Sequence, residues 1–445
     1  MDRRDFVRTS ATALTALSYS RVWGANDRVS LGFIGLGNRG DQVLEAFLEH
    51  GDSEINGLCD LKQSYMEHAK ARAENRGERR FYSDYRKLLE ASDIDAVVVA
   101  TPDHWHALQT IHACQAGKDV YVEKPLCLTV VEGRRMVQAV RRYGRVAQVG
   151  TQRRSLPWIK QLSEITQADG IGHISVADAY SIGNEWPKGI GKPANSAPPT
   201  DSSYDLWLGP APAVPHNINR TFYKFRWFWN HSGGQVTNFG VHLMDVVHWA
   251  LGQDAPLRVA AMGGKFAIDD NREVPDTAKL LYEYPGGTLA TFNQYNGNGY
   301  VWPTNQQIEL RGTKGTMLIK GRGFDIIPEV INPHGRASRT PLDRQTEREQ
   351  RKEAAPMIEA MSVEGPSGTE FHTRNFLDCV KSRERCNADI EIGHRSTSAP
   401  LIGNIALRTG KRLEWDRDAE RFTNDEEANE LLHYEYRKPW VLPQV

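Results

Sequence analysis

Along the first third of the chain, short apolar runs alternate with amphipathic stretches. Residues 29–34, 55–59, 96–100, 119–122 and 146–149 are mostly apolar, are too short for helices, and end in turn-forming or polar residues, so they read as buried strands. Helical character fills the gaps, from Asp41 onward and over residues 64–74, 106–115 and 129–143, with Gly117 suited to a C-cap and Thr129 to an N-cap. Strands alternating with helices at this spacing predict a parallel, doubly wound sheet with ligands at the strands' carboxyl ends. Those ends carry Asp60, Thr101, Lys124 and Thr151, which are expected to converge on one cleft.

Beyond Gly150 the pattern changes. Residues 174–182 read as a strand, 185–215 form a proline- and glycine-rich excursion, and 223–229 are densely aromatic. A helical period over 236–251 is followed by strand candidates at 259–262, 277–284, 288–293, 307–311 and 316–320, with Pro285-Gly-Gly287 as a turn. Strands in unbroken succession predict an open, largely antiparallel sheet. The chain thus divides into a domain over 26–150 and a second α/β domain over 151–445. Within the latter, 332–367 reads as a charged surface loop, and helices at 369–381 and 392–409 are placed to pack back on the first domain.

Composition narrows the partners. The 445 residues are 40% hydrophobic and 25% charged with a net charge of −1, which argues against nucleic acid or an anionic membrane as the main partner. Cys59, Cys114, Cys127, Cys379 and Cys386 are too scattered for a disulfide framework or a Cys-x-x-Cys metal site. Residues 1–25 are set apart: Arg3-Arg4-Asp5-Phe6-Val7-Arg8 precedes a mildly apolar run and a small-residue end at Trp23-Gly24-Ala25. That is a twin-arginine export pattern, too short and polar to span a membrane and without a cysteine for a lipid anchor. A periplasmic or otherwise exported protein is expected, crossing the membrane already folded.

The chemistry starts at Leu31-Gly-Phe-Ile-Gly-Leu-Gly-Asn-Arg-Gly40. A strand breaks into Gly35-x-Gly37-x-x-Gly40 and opens a helix, the turn that brings backbone up to a pyrophosphate. Asp60 follows 60 − 40 = 20 residues later, where a ribose-binding acid is expected, and its carboxylate favours NAD over NADP. Farther on come Glu123-Lys124-Pro125 and Asn238-Phe-Gly-Val-His242-Leu-Met-Asp245. At i, i+4 and i+7, Asn238, His242 and Asp245 can share one helix face.

Together these motifs resemble the glucose-fructose oxidoreductase and inositol dehydrogenase family, Gfo/Idh/MocA, over nearly the whole chain after residue 25. The resemblance implies a Rossmann domain, an α/β domain whose open sheet often mediates homo-oligomers, and NAD(P)-dependent redox chemistry on a sugar or polyol. It places Lys124 near the nicotinamide and makes His242 the general acid or base. At Asn238 the dehydrogenases commonly carry aspartate, and an amide cannot relay a proton.

Four residues are therefore expected at the reacting centre: Lys124, His242, Asn238 and Asp245, the last orienting the imidazole. Gly35, Gly37, Asn38, Arg39, Gly40 and Asp60 are expected to hold the cofactor, joined by Thr101, Pro102, His106, Glu123 and Lys124. Trp105, Gln152, Arg153, Tyr180, Arg226 and Trp227 are expected to meet the substrate beside Asn238 and His242. Neither His104 with His106 nor His242 with Asp245 and His248 has metal-site geometry, so no metal is expected. Export implies a tightly retained NAD. It also keeps open an NAD-dependent glycosidase or lyase that works by transient oxidation, and a non-catalytic NAD-holding sugar binder.

Overall fold

The computed structural model describes residues 28–73, 79–200, 203–300, 305–331 and 354–445. Residues 1–25, in which an export signal is expected, lie outside them. Strands β1 (Val29–Ile34), β2 (Ser53–Cys59), β3 (Arg80–Tyr82), β4 (Ala96–Val99), β5 (Asp119–Val122) and β6 (Ala147–Val149) form one sheet in the order β3-β2-β1-β4-β5-β6. Every pairing in it is parallel. Strands β1, β4, β5 and β6 are buried throughout, which is why they read as continuous apolar runs, while the edge strand β3 is largely exposed. Strand order reverses between β1 and β4, and a crevice opens there at the carboxyl ends.

Helix α1 (Asn38–Leu48) leaves the glycine turn, and α2 (Asp103–Gln115) follows β4. The latter begins three residues before the sequence pattern suggests, because Pro102 caps it and Asp103 already lies in its first turn. Helix α3 (Val130–Arg142) starts on a full capping box, with Thr129 and Glu132 each bonding the other's backbone.

Among the described residues the second sheet has eleven strands. Its main path uses β7 (Ile174–Asn184), β8 (Arg258–Gly264), β9 (Thr277–Tyr284), β10 (Thr288–Tyr295), β11 (Ile308–Gly312), β12 (Gly315–Lys320), β13 (Gly323–Pro328), β14 (Met361–Glu364), β15 (Leu413–Asp416) and β16 (Arg421–Phe422). The order is β14-β13-β12-β11-β7-β10-β9-β8-β15-β16, antiparallel except for β7 with β10. Residues 361–364, expected in a surface loop, instead form an edge strand on β13. Exposed edge strands carry little apolar signal to read.

The expected helix over 236–251 is two, α4 (Gly234–Asn238) and α5 (Gly240–Leu251), meeting at Phe239. Helices α6 (Glu370–Ser382) and α7 (Ile390–Thr409) return to the first domain. Phe376 of α6 meets Phe47 and Tyr121 edge-on at 6.1 and 5.8 Å between ring centroids, in the core beneath β1. Burying such a ring contributes about 1.5–3 kcal/mol, so the last helices tie both domains into one unit around the crevice.

Candidate active site

The glycine turn has the shape an anion needs. Gly35 sits at φ +91° against the backbone of Ala100, and a Cβ on Gly40 would lie 2.1 Å from Gly35 O. Gly37 differs: its Cβ position faces open space, with the nearest atom, from Tyr65, at 4.0 Å. No side chain caps α1, so its first N–H groups are free for a ligand. The empty volume over Gly37 and these uncapped donors fit a dinucleotide pyrophosphate. Asp60 closes the far side, accepting from Leu36 N at 2.7 Å and Lys62 N at 2.9 Å. Burial raises the pKa of its carboxyl against those backbone donors.

The turn opens into a cleft of about 460 Å³ shared by both domains. Asn38, Arg39, Thr101, Pro102, Glu123 and Lys124 line its first-domain side, and Gln152, Arg226, Asn238 and His242 the other. Buried Glu123 accepts from Arg39 Nε at 2.8 Å, locking the helix start to the end of β5.

At the centre, Lys124 Nζ donates to both Asn238 O and Asn238 Oδ1 at 2.9 Å. The amide oxygen also takes Arg226 Nε at 3.3 Å, while its nitrogen donates to Gln235 Oε1 at 3.0 Å. Asn238 is therefore the acceptor that aims the lysine. Burial, aided by the guanidinium groups of Arg226 and Arg39 and opposed by Glu123 and Asp103, pulls Lys124 down to about 8. His242 is held well below its ordinary value by burial first, then by the charges of Lys124, Arg153 and Arg39. The imidazole is thus neutral at pH 7, and the amine is the group poised to exchange protons there.

Asn238→Asp tests this electrostatic arrangement. A carboxylate at the same position stabilises the ammonium, so the pH dependence tied to Lys124 is expected to move alkaline by about one unit or more. Turnover that needs the neutral amine rises with pH through that value; turnover that needs the ammonium falls through it. The check is a pH profile of nucleotide reduction for both proteins, and coincident profiles would refute it.

Several expected residues do not reach the cleft. His106 is spent on structure: its ring nitrogens face Thr101 O and Pro125 O, each at 2.8 Å. Asp245 does not orient His242; its Oδ1 takes Arg154 Nε at 2.7 Å and Ser396 Oγ at 2.6 Å, because the turn after position 242 points it into the core. Trp227 packs with Phe228 and Val274 and carries Arg272 at 5.1 Å. Tyr180 alternates to the open face of the second sheet beside Asp178 and Glu309, the consequence of strand period two. Arg153 lies beside the cleft wall, donating to Gln307 Oε1 with its guanidinium 6.0 Å from the Phe239 ring. Gly40 supports the turn from beneath, and Thr151 is fully buried.

Other residues do reach it. Trp440, carried in by the last residues of the chain, meets Trp105 edge-on at 4.8 Å and lies under Arg86 at 5.3 Å. Arg437 anchors that segment through Asp205 and Gly209 O. Tyr65 and Phe222 meet edge-on at 6.5 Å, and Lys62 Nζ lies 3.6 Å from the Phe222 ring, bridging the domains over the Asp60 end. The aromatic density at 223–229 signals only Tyr223 and Phe225, which also line the cleft, and none of these other residues.

A parallel sheet with a glycine turn at its switch point, joined to a sheet domain that completes the cleft, defines a two-domain dinucleotide-binding protein of the oxidoreductase type. The NAD-binding Rossmann fold of the GFO_IDH_MocA oxidoreductase family matches residues 29–151, and that family's C-terminal alpha/beta domain matches 173–299 and 350–442. The chain belongs to this family.

Among curated relatives, a glycosyl hydrolase family 109 protein of Shewanella sp. (strain W3-18-1) is 38% identical over 122 residues, 26% of this chain and 27% of that protein. The match thus spans about a quarter of the relative's length. An uncharacterized oxidoreductase, YrbE, of Bacillus subtilis (strain 168) is 25% identical over 65% of this chain and 73% of its own. Of solved structures, the WlbA dehydrogenase from Chromobacterium violaceum, in complex with NADH and UDP-GlcNAcA, superposes with TM-score 0.63 at 20% identity, covering 88% of this chain and 97% of that one. A levoglucosan dehydrogenase in complex with NADH and levoglucosan gives 0.62 at 15%, covering 87% and 99%. At these identities the likeness is one of fold.

Proposed function

We propose that the protein is an NAD-dependent oxidoreductase interconverting a secondary hydroxyl and a ketone on a sugar or polyol, with the proton exchanged at Lys124. One observation carries the reading: Asn238 O and Oδ1 take two donors of Lys124 Nζ, at 2.9 Å each. A neutral amine held this way has its lone pair left for a substrate hydroxyl, and the ammonium has one N–H left for a ketone oxygen. NAD, when bound, supplies the hydride acceptor. His242, neutral and lining the cleft, hydrogen-bonds the substrate oxygen without competing for the proton, and Trp105 and Trp440 give an apolar wall. Asp60 is suited to accept from a ribose 2'-hydroxyl and to repel a 2'-phosphate.

The local similarity to family 109 glycosyl hydrolases favours a second reading, in which transient oxidation acidifies a neighbouring C–H, a glycosidic bond is eliminated and the hydride returns. Arg3 and Arg4 support export, under which NAD is retained through each cycle.

One preparation separates these readings. The nucleotide released by acid is expected to be NAD; a 2'-phosphate on it refutes the preference. Absorbance of the reduced nicotinamide is then followed across a sugar panel. A burst reversed by a second sugar supports net redox, and sugar release without net reduction supports elimination. No response to any sugar, unchanged in Lys124→Met, refutes both. Replacing Arg3 and Arg4 by Lys is expected to hold the protein in the cytoplasm, and an unchanged distribution refutes export.

A further inference from the structure

The cleft extends past Asp60, away from Lys124. Strand order fixes the direction: Lys124 follows β5, the glycine turn follows β1, Asp60 follows β2, and Ser83 and Tyr85 come after β3 at the edge of the sheet. Asp60 N donates to Tyr82 O at 3.3 Å, so the ends of β2 and β3 adjoin. Leu61, Ser83, Tyr85, Trp105 and Trp440 line this end of the cavity. A dinucleotide with its pyrophosphate on the glycine turn and a ribose on Asp60 has one place left for its adenine, the space between these residues.

Trp440 belongs to this end by its contacts. Its ring meets Trp105 edge-on at 4.8 Å and lies under the Arg86 guanidinium at 5.3 Å, while Trp105 meets Tyr85 at 5.6 Å. Asp84 holds Arg86 in turn, accepting from its Nε at 2.9 Å and its Nη2 at 2.6 Å. Trp440 is half-buried and lines the cavity, so its indole is not wholly spent on packing.

The segment that carries Trp440 is pinned at its other end. Arg437 N donates to Pro210 O at 2.9 Å, its Nε to Gly209 O at 3.1 Å, and its two terminal nitrogens to Asp205 Oδ1 at 2.6 Å and Asp205 O at 2.8 Å. Trp440 N closes the turn on Arg437 O at 3.0 Å. Residues 205–210 themselves press on Trp105. Trp207 O takes Trp105 Nε1 at 3.0 Å, and a Cβ on Gly209 would stand 2.1 Å from the Trp105 ring. Two segments of the second domain thus meet on one indole of the first.

We propose that residues 437–440 complete the adenine end of the nucleotide site, with Trp440 as a binding residue for the base and Arg437 as the clasp that holds it there. Bound nucleotide then leaves only when this turn lifts. The inference rests on the reading that NAD occupies the cleft, and carries it from the reacting end to the opposite one. An aromatic side chain against a base changes affinity about 5- to 150-fold. Retention through each cycle gains a physical ground, because release has to break the bonds of Arg437 as well as those of the nucleotide.

The test follows release of adenine-labelled NAD from the loaded full chain into excess unlabelled NAD. Alongside it, the nucleotide-free protein is titrated with ADP-ribose, which keeps the adenine and lacks the nicotinamide. Trp440→Ala and Arg437→Ala are each expected to speed release at least tenfold, and Trp440→Ala to weaken ADP-ribose at least tenfold. Trp440→Phe, which keeps an aromatic face, is expected to stay within threefold of the wild type on both measures. Lys124→Met, at the other end of the cleft, is expected to leave ADP-ribose within twofold. Melting curves of the nucleotide-free variants complete the set. Affinity that falls only together with the melting temperature, and that Trp440→Phe does not restore, makes the segment an element of the fold and overturns the proposal. So does release from Trp440→Ala as slow as from the wild type, with the cofactor reading left standing. A wild type that binds neither NAD nor ADP-ribose overturns the cofactor reading itself, and this proposal with it.

Discussion

Lys124→Met is expected to lower the rate of hydride transfer about a thousandfold while leaving the nucleotide bound. Positioned proton transfer contributes about 10²–10⁴ in rate, and each tenfold is about 1.4 kcal/mol of barrier. Methionine keeps the length and apolar stem of lysine but has neither a proton to give nor a lone pair basic enough to take one. The fold should tolerate it, because a half-buried amine whose pKa is pulled to about 8 is charged there against its environment. Asn238 loses two donors but keeps Arg226 at 3.3 Å. Single-turnover absorbance of the reduced nicotinamide, with the nucleotide content of the purified variant, measures both parts. His242→Gln, which retains a hydrogen-bonding side chain, is expected to cost only about tenfold. Should His242→Gln cost more than Lys124→Met, the proton belongs to the imidazole and the assignment to Lys124 is wrong.

The strand-end logic that places Lys124 was open to the sequence; the identity of the proton carrier was not. Apolar runs ending in Asp60, Thr101 and Lys124 sufficed to predict their convergence, since a parallel sheet brings its carboxyl ends to one edge, whereas Thr151, expected with them, is fully buried and does not line the cleft. Period-3.6 spacing likewise predicted that Asn238 and His242 would share a face, and both line the cleft despite the break at Phe239. Asp245 escaped because spacing gives a direction and not a partner: Arg154 and Ser396 come from distant positions in the chain and claim its carboxylate. The pKa reversal between Lys124 and His242 depends on burial and on Arg226, Arg153 and Arg39 converging from separate elements. Tyr180 and Trp227 show the opposite limit. Aromatic composition suits a sugar platform and a core equally, and only the fold sends one to an open sheet face and the other inward. Trp440 had no local signal, being brought to Trp105 by Arg437 and the closing segment of the chain.

Gly37 separates a glycine that serves the fold from one that serves the ligand, and its replacement carries the other large effect. At φ −66° and ψ −171° its backbone is one that any residue adopts, and its Cβ position meets nothing nearer than 4.0 Å. Gly37→Val should therefore leave the melting temperature of the nucleotide-free protein within about 2 °C, the range of a surface substitution. The new methyl groups enter the space over the uncapped start of α1, where a pyrophosphate has to lie. Affinity for NAD is expected to fall at least 100-fold, about 2.7 kcal/mol, so that the nucleotide no longer copurifies. Gly35→Ala and Gly40→Ala should behave differently. At Gly35 an added Cβ combines φ +91° with contacts of 2.7 Å on Ala100, and at Gly40 it meets Gly35 O at 2.1 Å, so both should lose nucleotide and stability together. Melting curves of the three nucleotide-free variants, with equilibrium dialysis against NAD, distinguish the two kinds of glycine. A Gly37→Val protein that still copurifies with NAD would show that the pyrophosphate does not lie on this turn, and the cofactor assignment of the whole cleft would fall with it.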